Sequence, residues 1–333
     1  MIINDSHCHF FSTELFAALA RQRLERTPPP PPKGSLQEAM EEDVNRQLAV
    51  SICDELGWET PGSAYTLADR WVRELDVHGV SRAALIASVP SDETSVAAAV
   101  AKHPDRFVGL FMLDPATGDP VSRAKRALGE LGLRGICLFP AMHHVPLHHD
   151  RTQQIVAVAA AHPGTAVFVH CGVLSVGVRK KLGLPSRFDL RLGDPLGVVK
   201  LALEFPQVPF IIPHFGAGLF REALMAADVC SNIYFDTSSS NDWIKYTPGL
   251  TIDTVFRTAL SVAGASRLLF GTDSSFFPRG WQKPVFESQQ RLVASLGQTT
   301  EDQALIFGGN FDRLFPPVPA PPPGTVPPRT GSR

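Results

Sequence analysis

Short apolar runs alternate with stretches of helical spacing along most of this chain. From residue 67 onward the rhythm is regular. Helical patterns over 67–78, 94–101, 120–131, 150–161, 195–205, 219–227 and 252–262 alternate with apolar runs at 83–87, 107–112, 135–139, 166–170, 210–214, 232–236 and 268–273. The opening run 1–9 adds a first strand, and helical patterns at 282–296 and 301–307 close the series. Continuously apolar strands, each followed by a helix, predict a parallel sheet covered by helices. Eight such repeats predict a closed (β/α)8 barrel, the TIM barrel of the α/β class. An open doubly wound sheet is the alternative. No Gly-x-Gly-x-x-Gly follows the first strand, which argues against a dinucleotide-binding version of it.

The first repeat is interrupted. Leu15, Leu19 and Leu24 fall at helical spacing within 12–26, and the five prolines at 28–32 end that helix because proline lacks an N–H and fixes φ. They favour an extended spacer. A helical pattern resumes over 36–56. Residues 11–66 therefore read as a partly helical insertion after strand one, within a single unit 1–315. A lid over the site, a dimer arm making a homodimer, and a surface elaboration are the roles open to it. The Pro- and Gly-rich stretch 316–333 has little to bury and is expected to be a disordered tail.

Composition narrows the classes. The 333 residues carry 31 Lys and Arg against 33 Asp and Glu, a formal net charge of -2. With no basic block, nucleic acid is not an expected partner. No apolar stretch reaches the length of a membrane span, and no basic start with a long apolar segment opens the chain, so a cytoplasmic protein is expected. Cys8, Cys53, Cys137, Cys171 and Cys230 are odd in number and form no CxxC, which fits free thiols in a reducing compartment.

Chemistry gathers where the apolar runs stop. In Asp5-Ser6-His7-Cys8-His9 the two imidazoles stand at i and i+2, on one side of an extended strand. Both can reach one metal ion. His170 ends strand five, His214 strand six, Asp236 strand seven and Asp273 strand eight. One such histidine alone is more often packed or hydrogen-bonded than ligating, and one such aspartate more often caps the next helix. In a closed barrel, however, these strand ends converge on one face, and strands one and eight are neighbours. That convergence favours a divalent ion held by histidines and a carboxylate from different strands.

Asp5-Ser6-His7-Cys8-His9 matches D-x-H-x-H, and Val167-Phe168-Val169-His170-Cys171-Gly172 follows on strand five. His214-Phe215-Gly216-Ala217-Gly218 matches H-x-G-x-G, and Leu269-Phe270-Gly271-Thr272-Asp273 matches L-F-G-T-D. In order and spacing, over 1–12 and 67–315, the chain resembles the amidohydrolase superfamily, in particular the branch containing aminocarboxymuconate semialdehyde decarboxylase. The resemblance implies metal ligation by His7, His9, His170 and Asp273, acid–base catalysis by His214 with Asp273 able to shuttle a proton, and Asp5 behind the ligands. Binuclear relatives carry a lysine on strand four; 135–139 has none here, so one ion is expected. Zinc is the expected metal, with manganese, iron(II) and cobalt compatible.

The implied activity is hydrolysis of a small organic molecule by metal-activated water. The alternative is a non-oxidative decarboxylase of an aromatic or muconate-like acid, and the third class is a silent barrel that binds metal without turnover. For a carboxylate-bearing substrate, Arg221 is the candidate anchor, at the start of the helix after His214, unless it merely pairs with Glu222. Phe139, Trp243, Phe10 and Phe215 are candidates for an aromatic wall, Ser274 and Ser275 for hydrogen-bond donors, and His143 for a substrate contact from the loop after strand four. Arg46 of the insertion is a candidate to close over the site.

Overall fold

The computed structural model describes residues 1–24 and 35–317, without the side chains of 36, 38 and 39. The prolines 28–32 and all but the first two residues of the expected tail lie outside the described residues. Strands β1 (Asn4–Phe10), β2 (Arg82–Ala87), β3 (Phe107–Met112), β4 (Gly135–Leu138), β5 (Ala166–Val169), β6 (Phe210–Ile212), β7 (Ile233–Asp236) and β8 (Leu268–Leu269) are parallel and adjacent in sequence order. Three backbone bonds join the two ends of this sheet: Ser6 N to Phe270 O (2.9 Å), Asp273 N to His7 O (2.9 Å) and His9 N to Ser274 O (2.7 Å). The sheet is thus a TIM barrel. The run 268–273 expected as the last strand is shorter in the structure. After Leu269 the chain leaves regular pairing, and Asp273 adopts a left-handed φ of 57°.

Helices follow each strand: α1 (Thr13–Arg23), α2 (Leu36–Leu56) and α3 (Ala64–Val77) after β1, α4 (Glu93–Lys102) after β2, and α5 (Pro120–Gly129) after β3. Then come α6 (Pro140–His143), α7 (Asp150–Ala160), α8 (Gly177–Lys181), α9 (Leu196–Glu204), α10 (Phe220–Val229), α11 (Ile252–Ala263), α12 (Lys283–Ser295), α13 (Thr300–Ala304) and α14 (Asn310–Leu314). Period-two alternation sorts the strand residues. Ala84, Ile86, Leu110, Phe168 and Ile211 fill the barrel interior, while Leu85, Phe111, Ile136, Val167 and Phe210 face the helices. Phe311, Leu314 and Phe315 pack with the interior group, and Arg82 binds Asp312 and the Phe315 carbonyl there, both at 2.7 Å. None of the described helices is long and apolar enough to cross a membrane.

The insertion docks on the barrel's loops. Ser12 caps α1 by accepting from Leu15 N. Leu15, Phe16 and Leu19 of α1 pack with Ala49, Ile52 and Cys53 of α2 and with Val178 and Leu182 at α8. This satellite core stands over the carboxyl-terminal ends of the strands. All five cysteines are free and buried.

Candidate metal centre

On β1 the alternation sends Cys8 and Phe10 into the packing between strands and helices and His7 and His9 to the other side. Their outer nitrogens are fixed by partners. His7 Nδ1 lies 2.6 Å from Asp236 Oδ2, and a carboxylate only accepts, so Nδ1 carries the hydrogen. His9 Nδ1 lies 2.7 Å from Ser88 Oγ, whose own hydrogen goes to the Ile86 carbonyl at 3.0 Å. Ser88 therefore accepts from His9 Nδ1. In both rings, on this assignment from partners, Nε2 is left with a lone pair. The two Nε2 atoms are 3.3 Å apart, and Asp273 Oδ1 lies 3.1 Å from that of His9 and 3.7 Å from that of His7. Three electron-rich atoms facing one another repel unless a positive charge lies between them. The donor set, two imidazoles and a carboxylate within 4.8 Å of one another, suits a divalent ion.

Electrostatics agrees with the geometry. Burial works against a charge on His7, but Asp236, Asp273 and Asp5 outweigh it and lift its pKa to about 9. Burial also presses Asp273 upward, yet the bond to His9 and the surrounding imidazoles hold it well below the usual carboxylate range. The surrounding carboxylates thus favour a positive charge at His7 Nε2, carried by a proton or by an ion that displaces it and takes the lone pair, and Asp273 stays ionised in either case.

Three buried groups hold this arrangement. Asp236 accepts from Ser238 N (2.7 Å) with the oxygen that His7 does not use. Asp5 accepts from His7 N (2.9 Å), Thr272 N (3.1 Å) and Trp281 Nε1 (2.7 Å), stitching β1 to the segment after β8. Burial raises the Asp5 pKa to about 6 against the pull of those bonds. Gly271 makes the close approach feasible: a Cβ there would stand 2.7 Å from Asp236 Oδ1 and 3.0 Å from His7 Cβ.

His214 Nδ1 lies 3.1 Å from the Ser238 carbonyl, which again places the hydrogen on Nδ1 and leaves Nε2 as a base. Burial, and after it the charge on His7, lowers the His214 pKa, so the ring is neutral. It sits on strained backbone, with φ near 52° at His214 and Phe215 and 42° at Ala217. Gly172 admits this loop, since a Cβ there would meet Gly216 O at 2.1 Å. His170 faces the same cavity, stacked on Phe139 at 5.4 Å and 5.6 Å from the His214 ring. Its nitrogens fall outside the three-donor group, and its Nδ1 is buried without a partner among the described residues. Burial, and beyond it the positive charge of the other imidazoles, keeps it neutral.

These groups line a cavity of about 460 Å³. Met112 comes from the end of β3, Phe139 and Met142 from the end of β4 and α6, Phe11, Leu15, Leu19 and Trp58 from the insertion, and Val178 from α8. Arg179, Lys181 and Arg279 also line it, and among the described residues Asp273 is the acidic one on its wall.

Several expected contacts lie elsewhere. Arg221 is on the outer face of α10, 84% exposed and 2.9 Å from Glu222, because Phe220, Ala223 and Ala227 take the face that packs inward. Trp243 is buried against Phe220, its Nε1 on Asn241 Oδ1. Ser274 is buried and bonded to Thr272 and to Gln282 N; Ser275 lines the cavity instead. His143 lies behind Phe139 in a separate small pocket. Phe10 and Phe215 are core, and Arg46 pairs with Asp43 in solvent. Asp236 carried the same strand-end signal as Asp273 and stood among the converging groups, but the sequence assigned it no role. Ser88, just past β2, and Arg279, six residues after Asp273, had no distinguishing signal.

A family model described as amidohydrolase matches residues 5–316. Protein fluG of Emericella nidulans is 24% identical over 138 residues, 38% of this chain and 16% of that much longer protein. Among solved structures, 5-carboxyvanillate decarboxylase from Novosphingobium aromaticivorans, with manganese and 4-hydroxy-3-methoxy-5-nitrobenzoic acid, is 15% identical with a TM-score of 0.60, covering 94% of this chain and 96% of that one. A probable 2-pyrone-4,6-dicarboxylic acid hydrolase from Acinetobacter baumannii, with citric acid bound, is 14% identical with a TM-score of 0.56, covering 95% and 99%. At these identities the structural likeness is one of fold.

Proposed function

The chain belongs to the amidohydrolase family, and from that premise we propose that it is a metal-dependent hydrolase of a small organic molecule bearing a carboxylate. The observation that carries this reading is the facing of His7 Nε2, His9 Nε2 and Asp273 Oδ1, with both imidazole tautomers set by Asp236 and Ser88. These three residues would hold one divalent ion, zinc or manganese being suited to the donors, and His170, which lines the same cavity, would be a further ligand. When bound, such an ion supplies activated water and polarises a substrate oxygen.

The chain's own residues do the rest. His214 Nε2 takes a proton from the attacking water and returns it to the leaving atom. Asp236 keeps the His7 proton on Nδ1, and Asp5 holds β1 in register with the Asp273 segment. The apolar walls exclude bulk water. The insertion 11–66 serves as a lid, since α1 and Trp58 form part of the wall. Three cationic side chains against one carboxylate on the lining favour an anionic substrate.

A second reading, decarboxylation, is favoured by the aromatic side chains Phe11, Trp58, Phe139 and Phe276 on the walls, which suit an aromatic acid. His214 Nε2 would then take a proton from water and pass it to the ring carbon as the carbon–carboxylate bond breaks and carbon dioxide leaves, the hydroxide left behind converting it to bicarbonate. One experiment separates the two: metal-reconstituted protein is run on lactones, amides and hydroxybenzoates in ¹⁸O-water. Label in the organic product marks hydrolysis, and release of carbon dioxide with an unlabelled organic product marks decarboxylation. His214→Gln is expected to lower kcat by about 10²–10⁴. Metal-replete protein with no turnover on the panel, and ligand affinity indifferent to His214→Ala, would point to a silent barrel.

A further inference from the structure

The cavity's three cationic side chains have no carboxylate partner among the described residues, unlike Arg221. Arg179 is spent on Gln22 and the Pro185 carbonyl at the insertion's edge. Arg279 is held differently. Its guanidinium carbon lies 4.6 Å from the centroid of Phe276, and Phe276 stacks on Trp58 at 3.7 Å with 9° between the rings. Trp58 is registered by its neighbour, since Glu59 N donates to Phe277 O at 3.0 Å. On the other side, Arg279 Nη2 donates to the Asp273 carbonyl (3.1 Å) and to Ser275 Oγ (2.7 Å). Nε and Nη1 have no acceptor among the described residues.

A planar fork held on one face by stacking and at one nitrogen by two hydrogen bonds is already ordered before a ligand arrives. Nη2 belongs to both edges on which two N–H groups run parallel, so what remains open is the Nε–H and the two Nη1–H groups, each able to donate singly to a carboxylate oxygen as a charge-assisted hydrogen bond. The geometry points to Arg279 as the residue that binds the substrate's carboxylate beside Asp273, with Trp58 of the insertion as its support. This deepens the functional reading above and rests on it. It replaces Arg221 as the anchor, and it gives the insertion a part in specificity: the lid residue Trp58 sets the plane of the group that selects the acid.

The test is calorimetric titration of metal-loaded protein with benzoate, 4-hydroxybenzoate and 4-hydroxy-3-methoxy-5-nitrobenzoate, each against its carboxamide, with metal content measured on the same samples. Wild type is expected to prefer the acid. Arg279→Gln should weaken the acid on the order of thirty-fold and leave the amide nearly unchanged, with Arg279→Lys in between. Trp58→Leu should cost a smaller factor, about three- to fivefold, again for the acid alone. Equal losses for acid and amide, or no loss, would overturn the assignment while the metal reading stands. Metal-replete wild type that binds none of the acids would overturn it as well. Protein that retains no metal would sink the functional reading first, and this inference with it.

Discussion

On the β1–β8 side of the cavity floor His7 is held by Asp236 and His9 by Ser88, whereas on the β5 side His170 leaves Nδ1 buried without a partner among the described residues. The first side is preorganised. Each ring has one nitrogen committed and the other presented, so an ion meets lone pairs already aimed at it. On the second side the ring is buried between Phe139 and His214, packed by ring contacts and with no hydrogen bond to Nδ1 among the described residues. The contrast teaches that the strand-end histidines are not equivalent. Those on β1 gather with Asp273 into one donor group, and the one after β5 stands outside it.

The comparison breaks first at Asp273. Asp273→Asn or His9→Ala should lower metal affinity by more than about 100-fold, read as metal retained after dialysis against a chelator. Behind the ligands, Asp236→Asn should cost roughly 10- to 100-fold because His7 loses the acceptor that fixes its tautomer. His170→Ala should cost about tenfold or less in the same assay. If it matched His9→Ala, the two sides would be equally committed and the contrast would fall.

A third prediction tests how far the engaged side extends outward. Asp92 accepts from Ser12, the cap of α1, and from Ser95, joining the insertion to the loop after β2. Burial raises its pKa to about 7 against the pull of those two hydroxyls. The folded chain then binds this proton more tightly than the unfolded chain. Its contribution to stability is complete below about pH 4 and is lost as pH rises through 7, at up to roughly 1.4 kcal/mol per pH unit. Urea unfolding at several pH values should show that fall, and Asp92→Asn should flatten it. An unchanged slope would remove Asp92 as the cause. The smallest effect is expected at Arg221→Ala: within about 0.5 kcal/mol in stability and none on metal or anion binding, since the pair with Glu222 is solvent-exposed.

Much of the fold was legible in the order of residues. Helix 36–56 and strand 107–112 coincide with α2 and β3, because length together with spacing separates a long helix from a short buried strand. The strand ends carrying His7, His9, His170, His214 and Asp273 were legible for the same reason, each standing where an apolar run stops. The end of β8 was not. An apolar run does not show that Asp273 will take a positive φ and turn its carboxylate back toward His9. Arg221 misled for a related reason. Its distance from His214 along the chain says nothing of helix phase, and one residue after the inward-facing Phe220 puts it in solvent.

By itself, then, the sequence determined a barrel of alternating strands and helices, and which imidazoles and carboxylates stand at its strand ends. Those properties follow from local periodicity and covalent geometry. Only the tertiary structure decided which groups meet: that Asp236 fixes His7 from 229 residues away, that Ser88 sets His9, that Trp58 and Phe276 orient Arg279, and that His170 stays apart from the gathered donors. A hydrogen bond or a stack depends on ångström distances between distant segments, and those distances exist only once the ring of strands has closed.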